Sequence, residues 1–272
     1  CANPEGLGRR YQIMLKPTAC VSCGACVSAC PQGIHLISSD GTHTVDRDKQ
    51  CIGCGACVNA CMQAALKVAG EEASISELLA YLEEDRSFYE HSGGGVTLSG
   101  GEVTAQPEAA INLLMACKRE GLHTAIETCG YTKKDTFLRF AEVVDLFLFD
   151  IKHMDPERHA QLTGVRNEMI LENLEMLLMK RANVKVRMPL LKGINDSEEE
   201  IRAVIDFLTP YKDFKNFRGI DLLPYHKLGV NKYVQLGMDY AIDGDPSLDD
   251  ADLDRIEGWL KNEQFPVVVV RH

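Results

Sequence analysis

Cys20-Val21-Ser22-Cys23-Gly24-Ala25-Cys26-Val27-Ser28-Ala29-Cys30-Pro31 and Cys51-Ile52-Gly53-Cys54-Gly55-Ala56-Cys57-Val58-Asn59-Ala60-Cys61 are two copies of one pattern, C-x2-C-x2-C-x3-C. The small residues between the cysteines let the backbone bend sharply and aim its N–H groups at sulfur. Each copy continues into a short apolar stretch, Ile34 to Ser38 and Ala64 to Val68, that reads as a strand closing a small module. A disulfide framework fits poorly, because bridge-dense folds are short secreted domains and 272 residues can bury a real core. A zinc ribbon needs only two C-x2-C knuckles and leaves the further cysteines of each run unexplained.

The spacing is the ligand pattern of bacterial-type ferredoxins that carry two [4Fe–4S] clusters. Three thiolates of one loop hold three irons, and in such modules the fourth ligand comes from the other run. Cys20, Cys23, Cys26 and Cys61 are therefore assigned to one cluster, and Cys51, Cys54, Cys57 and Cys30 to the other. Neither half is large enough to fold without its metal.

Hydrophobic residues at 45% and charged residues at 25% are ordinary for a soluble globular chain. The formal charge of −11 disfavours nucleic-acid and anionic-membrane partners. No signal peptide or membrane-spanning run is visible. Reduced thiols place the protein in a reducing, anoxic cytoplasm.

After Gly70 the pattern changes to alternating strands and helices. Ser76 is expected to cap a helix bearing Leu78, Leu79 and Leu82. Strands are expected at Val96–Leu98, His123–Glu127, Val144–Ile151, Val184–Leu191, Ile220–Leu223 and Val267–Val270, with helices between them. The Val144–Ile151 run is nearly all apolar, as in a parallel strand buried on both faces. Ser247 is expected to cap the last helix, with Asp249 and Asp250 complementing its positive end. Alternation at this spacing implies an α/β fold with a parallel sheet or barrel and its site at the strand C-terminal ends. Polar residues gather there: Gly100-Gly101-Glu102, Glu127-Thr128, Asp150 and Lys152, Arg187, and His226. Such a set suits a zwitterionic ligand with carboxylate, amine and ribose groups.

The joint pattern also includes Cys1-Ala2-Asn3-Pro4-Glu5, Ser92 to Glu102 (SGGGVTLSGGE), Asp150-Ile151-Lys152 and Leu222 to Gly229 (LLPYHKLG). With both cysteine runs, it resembles the activating enzymes of glycyl radical enzymes, within the radical SAM superfamily. The subgroup most similar is the activators of choline trimethylamine-lyase, with activators of glycerol and propanediol dehydratases close by. The resemblance implies a partial (β/α)6 radical SAM barrel with an inserted 2[4Fe–4S] ferredoxin-like domain. It also implies a C-x3-C-x2-C loop after the first strand, holding a further [4Fe–4S] cluster whose open iron is chelated by S-adenosylmethionine. Cys1 matches the last cysteine of that loop; the other two, and the first strand, are not in the sequence, so the chain is expected to be truncated at its N-terminus. Neither Cys117 nor Cys129 has a spacing that replaces them. Residues 1–14 would then end the cluster loop, 15–67 form the insert and 68–272 the barrel.

Carried over residue by residue, Gly100, Gly101 and Glu102 match the motif that receives the methionine amino group, with Val103 where relatives have Pro. Glu127 and Thr128 match an acidic-Thr pair near the S-adenosylmethionine carboxylate and a monovalent cation. Asp150 and Lys152 match an Asp-x-Lys motif beside the adenosyl group, Arg187 a basic contact, and His226 a residue near the adenosine. Cys1 and Lys152 would stand nearest the chemistry. The implied activity is reductive cleavage of S-adenosylmethionine to a 5′-deoxyadenosyl radical, which removes a hydrogen from a glycine of a partner glycyl radical enzyme. A low-potential donor such as flavodoxin or ferredoxin would supply the electron. The alternatives are another radical SAM enzyme with auxiliary clusters acting on a peptide or small molecule, and a ferredoxin-type electron carrier.

Overall fold

The structure is a computed structural model that describes residues 3–8 and 10–271. The chain divides into two compact units, one comprising Cys1–Ala73 with Lys227–Asp243, the other Ser74–His226 with Gly244–His272. No helix among the described residues is long and apolar enough to cross a membrane.

In the first unit, strands β1 (Gln12–Leu15) and β4 (Leu66–Ala69) pair antiparallel, with Gln12 opposite Ala69 and Leu15 opposite Leu66. Strands β2 (His35–Ile37) and β3 (His43–Val45) form a second antiparallel pair. One-turn helices Ala25–Ala29 and Ala56–Asn59 start inside the cysteine runs. Gly24 and Gly55, at φ 78° and 70°, begin them in the left-handed region, where a side chain would be strained. The core is small: Ile13, Leu15, Ile34 and Leu66 pack with the buried Cys26 and Cys57. The helix Val230–Leu236 belongs to this unit, and its Leu236 packs on Met14 and Ala69. Lys232 Nζ reaches Glu5 Oε1 at 2.6 Å, and the Arg47 guanidinium donates to the Ile13 and Gln235 carbonyls at 2.7 and 3.2 Å.

The second unit is built on a six-stranded sheet, comprising β5 (Gly95–Leu98), β6 (His123–Thr128), β7 (Leu146–Asp150), β8 (Val184–Leu190), β9 (Phe217–Pro224) and β10 (Val267–Val269). Every pairing is parallel and each strand lies beside its neighbour in sequence. Helices Pro107–Arg119, Lys134–Ala141, Glu168–Met179, Glu198–Leu208 and Asp250–Asn262 fill the crossovers. Their apolar faces share one core with one face of the sheet, joining Leu114, Phe140, Leu177 and Ile201 to Phe147, Phe149, Val186 and Ile220.

The opposite face of the sheet is different. The register sets Glu127 beside Leu148, Leu148 beside Lys185, Asp150 beside Arg187 and Arg187 beside Asp221. Strand β7 therefore alternates buried with half-buried residues, which corrects the expectation of burial on both faces. Leu146 and Leu148 are apolar yet lie on the face that carries the charges.

Two caps also differ from expectation. Ser74, with Glu77, forms a reciprocal capping box at helix Ile75–Glu83, which displaces Ser76 as the cap. Asp249 accepts from Asp252 N at 2.8 Å and caps Asp250–Asn262 in place of Ser247.

Candidate active site and cluster-binding module

Most of the polar strand-end residues of the second unit form one connected set. Ser99 Oγ donates to Glu127 Oε2, and Arg187 Nη1 donates to Glu127 Oε1. Arg187 Nε stands 3.7 Å from Asp150 Oδ1, and Lys152 Nζ donates to Asp150 Oδ2 at 3.1 Å. Further along the same face, Lys185 Nζ meets Asp221 Oδ1 at 2.7 Å. Asp150 Oδ1 is buried and accepts no hydrogen bond from the described residues. A buried carboxylate oxygen without a donor is costly, and a bound donor would relieve it.

Glu102 centres a second cluster at the ends of β5 and β6. Its Oε1 accepts from Thr104 N at 3.0 Å, Thr104 Oγ1 at 2.8 Å and Thr128 Oγ1 at 2.7 Å. Its Oε2 accepts from Cys129 N at 2.8 Å. The loop after β5 and the end of β6 thus together hold the carboxylate by both oxygens, while Oε2 retains capacity for a further donor. Gly100 has φ 121°, which only glycine adopts without strain, and Val103 is buried in the core where it starts a 3-10 turn. Cys129 lies beside Glu102, and burial followed by that carboxylate pushes its thiol up to about 12. Cys117 is fully buried among Val96, Leu113 and Leu122, as a core residue. His226 is half-buried two residues beyond β9. Cys1 lies outside the described residues.

In the first unit the eight cysteines of the two runs line two recesses. One is lined by Cys30, Cys51, Cys54 and Cys57, with Ile13 and Ile34. The other is lined by Cys20, Cys23, Cys26 and Cys61, with His43 and Leu66. Each recess takes three cysteines of one run and the last of the other. All eight are free thiols. Burial raises Cys26, and burial with the neighbouring Cys30 and Cys51 pushes Cys57 up to about 11. Thiols gathered this way repel one another as thiolates, so the set fits a cationic iron–sulfur core and fits poorly as it stands.

Two residues here went unread in the sequence. His43 Nδ1 is 3.3 Å from Cys20 Sγ, and His43 Nε2 is 3.0 Å from His35 Nδ1 and 3.7 Å from Cys26 Sγ. His35 is 1% exposed, and burial, His43 and Arg47 push it down to about 4. Only their alternation on a hairpin could have flagged them, and a three-residue strand is too short to read. Ser99 was likewise passed over beside the Gly-Gly-Glu triplet.

Comparison with known proteins matches residues 52–208 to the radical SAM superfamily and residues 12–62 to the 4Fe-4S dicluster domain. A choline trimethylamine-lyase activating enzyme from Oleidesulfovibrio alaskensis is 58% identical over 273 residues, spanning 100% of this chain and 88% of that protein. A trans-4-hydroxy-L-proline dehydratase activating enzyme from Clostridioides difficile is 43% identical, over 88% of this chain and 78% of that one. Among solved structures, a domain of pyruvate-formate lyase-activating enzyme from Bacteroides vulgatus superposes with a TM-score of 0.55 and 27% identity, covering 65% of this chain and 99% of that one. A parallel sheet with a charged face, a module of paired cysteine recesses and relatives of this closeness make the chain a member of the radical SAM superfamily and, within it, of the activating enzymes.

Proposed function

We propose that the protein activates a glycyl radical enzyme, with choline trimethylamine-lyase as its partner, and that its sheet is a partial (β/α)6 barrel binding S-adenosylmethionine at the strand C-terminal ends. The observation that carries this reading is the charged sheet face ending in Glu127, Asp150 and Arg187 beside Lys152 and Glu102. S-adenosylmethionine carries a sulfonium, an ammonium and one carboxylate, hence one net positive charge. Three carboxylates against two cations leave this face one net negative charge, so ligand and face are complementary.

Glu102, anchored by four donors, offers its Oε2 to the amino group beside Gly100 and Gly101. Asp150 supplies the buried oxygen that lacks a donor, and Lys152 and Arg187 hold that carboxylate in place. Thr128 orients Glu102, Glu127 fixes Arg187, and the same pair is assigned the ligand carboxylate with a monovalent cation. His226 is assigned to the adenosine side, and Cys1 to the third ligand of the catalytic cluster. The two recesses would each hold a [4Fe–4S] cluster, Cys20, Cys23, Cys26 and Cys61 in one and Cys30, Cys51, Cys54 and Cys57 in the other. When bound, a reduced cluster with S-adenosylmethionine supplies a 5′-deoxyadenosyl radical able to take a hydrogen from a glycine Cα. The residues of this chain position the ligand by its charges and shelter it behind the helix-packed sheet. A flavodoxin or ferredoxin in a reducing cytoplasm is assigned as donor.

The test is anaerobic incubation of the reconstituted, reduced protein with S-adenosylmethionine and choline trimethylamine-lyase. Formation of 5′-deoxyadenosine together with a glycyl radical doublet in electron paramagnetic resonance is expected. Intact S-adenosylmethionine would overturn the reading, and 5′-deoxyadenosine without the doublet would overturn the choice of partner.

A further inference from the structure

We propose that His43 donates a hydrogen bond from Nδ1 to the Cys20 thiolate of one cluster, and that His35 fixes the tautomer that allows it. The inference rests on the reading of both recesses as cluster sites. It makes the two clusters unequal, with the one on Cys20, Cys23, Cys26 and Cys61 reduced first.

The tautomer follows from one orphaned atom. Ile37 is opposite His43 across the β2–β3 ladder, so His35 and His43 are diagonal neighbours on one face, with ring centroids 5.2 Å apart. His35 is 1% exposed, and its Nε2 has no hydrogen-bond partner among the described residues. A buried N–H left without an acceptor is rarer and costlier than an empty lone pair. The His35 proton therefore sits on Nδ1, which reaches His43 Nε2 at 3.0 Å. His43 Nε2 then accepts, and its own proton is forced onto Nδ1, 3.3 Å from Cys20 Sγ. Cys26 Sγ, at 3.7 Å, faces the accepting nitrogen and gains no donor from it.

The other recess has no counterpart among the described residues. The Cys20 recess collects Ser22 N on Cys20 and Ala65 N on Cys61, both at 3.4 Å, in addition to His43. The Cys51 recess collects Gly53 N on Cys51 at 3.4 Å. Donors to cluster sulfur favour the more negative, reduced state and raise the potential. Because the eight thiolates complete both ligand sets, His43 acts as a positioning residue and not as a ligand.

The experiment is a potentiometric titration, followed by electron paramagnetic resonance, of the anaerobically reconstituted protein, its His43→Leu variant and its His43→Asn variant, which keeps an N–H near the Nδ1 position. Iron is counted in each. In His43→Leu one cluster is expected to show about a tenfold lower reduced-to-oxidised ratio at fixed poise, ~59 mV for one electron. The other cluster is expected to stay put, the iron count to hold, and His43→Asn to recover most of the shift. The exchangeable-proton coupling in electron-nuclear double resonance should vanish in His43→Leu and return in His43→Asn. Unmoved potentials with full iron would overturn the hydrogen bond, and loss of about four irons in both variants would make His43 a ligand. A wild-type protein without about eight irons assignable to the two runs would overturn the cluster reading itself.

Discussion

Glu102 shows how a single carboxylate can be held for a task. Four donors from its own loop, from the end of β6 and from Cys129 just after it converge on it, and they include the buried Thr104 and Thr128 hydroxyls. A glutamine there keeps the shape but removes the charge, and turns an N–H2 against either the Cys129 N–H or the Thr128 hydroxyl. A hydrogen bond to a charged group contributes about 1.5–3 kcal/mol, and each ~1.4 kcal/mol is tenfold in affinity. Glu102→Gln is therefore expected to weaken S-adenosylmethionine binding roughly 10- to 100-fold in equilibrium dialysis. Unchanged binding would remove the amino group from this carboxylate. The triplet Gly100-Gly101-Glu102 was legible as turn glycines beside a carboxylate at a strand end, a weak signal alone that gained its role only from the family resemblance. The Thr104 bond was not legible, since it depends on the 3-10 turn that Val103 begins in the core.

At the level of elements, the parallel strands were readable because each apolar run is separated from the next by a helix-length amphipathic segment. What the sequence hid was coverage: Phe147 and Phe149 meet helices, whereas Leu146 and Leu148 share a face with Glu127 and Lys185. An apolar side chain does not reveal which layer lies over it. Strands β1 and β3 were missed for a related reason, as four and three residues gain strand geometry only from their partners β4 and β2. The other end of the sheet has its own fastening, Asp145. Its Oδ2 accepts from Thr124 N at 2.9 Å and Thr124 Oγ1 at 3.0 Å, and its Oδ1 pairs with Lys118 at 2.5 Å. Burial works to raise this carboxyl, but Lys118 and Thr124 together hold it below the usual carboxylate range. A depressed folded pKa gives stability that is present above the usual value of ~3.9 and is lost as pH falls through the folded value. Asp145→Asn should cost about 1–3 kcal/mol near neutral pH, because the amide presents a donor to Thr124. Hydrogen exchange across β6 and β7 should show that difference near pH 7 and a smaller one in strong acid. An equal difference at both would mean that the charge of Asp145 contributes nothing.

Across the whole chain, the two units draw stability from different sources. The second has a contiguous apolar core linking five helices to one sheet face, which is enough to order it without a cofactor. The first has Ile13, Leu15, Ile34 and Leu66 around two of its own cysteines, strands of three or four residues, and helices of four, five and seven. A core of that size seldom outweighs the entropy of ordering its chain, and small domains of this kind lean on metal. Iron removal should therefore act on one unit only. After anaerobic chelation, hydrogen–deuterium exchange is expected to rise sharply across β1 to β4 and the cysteine runs. The helix Val230–Leu236 should lose protection with them, because Leu236 packs on Met14 and Ala69 within the same unit. Amides around Phe147, Val186 and Ile220 should stay slow, because nothing in their surroundings depends on thiolate ligands. Protection retained across β1 to β4 in the iron-free protein would show that the small apolar core suffices, and that the cysteines are ligands on a preformed frame.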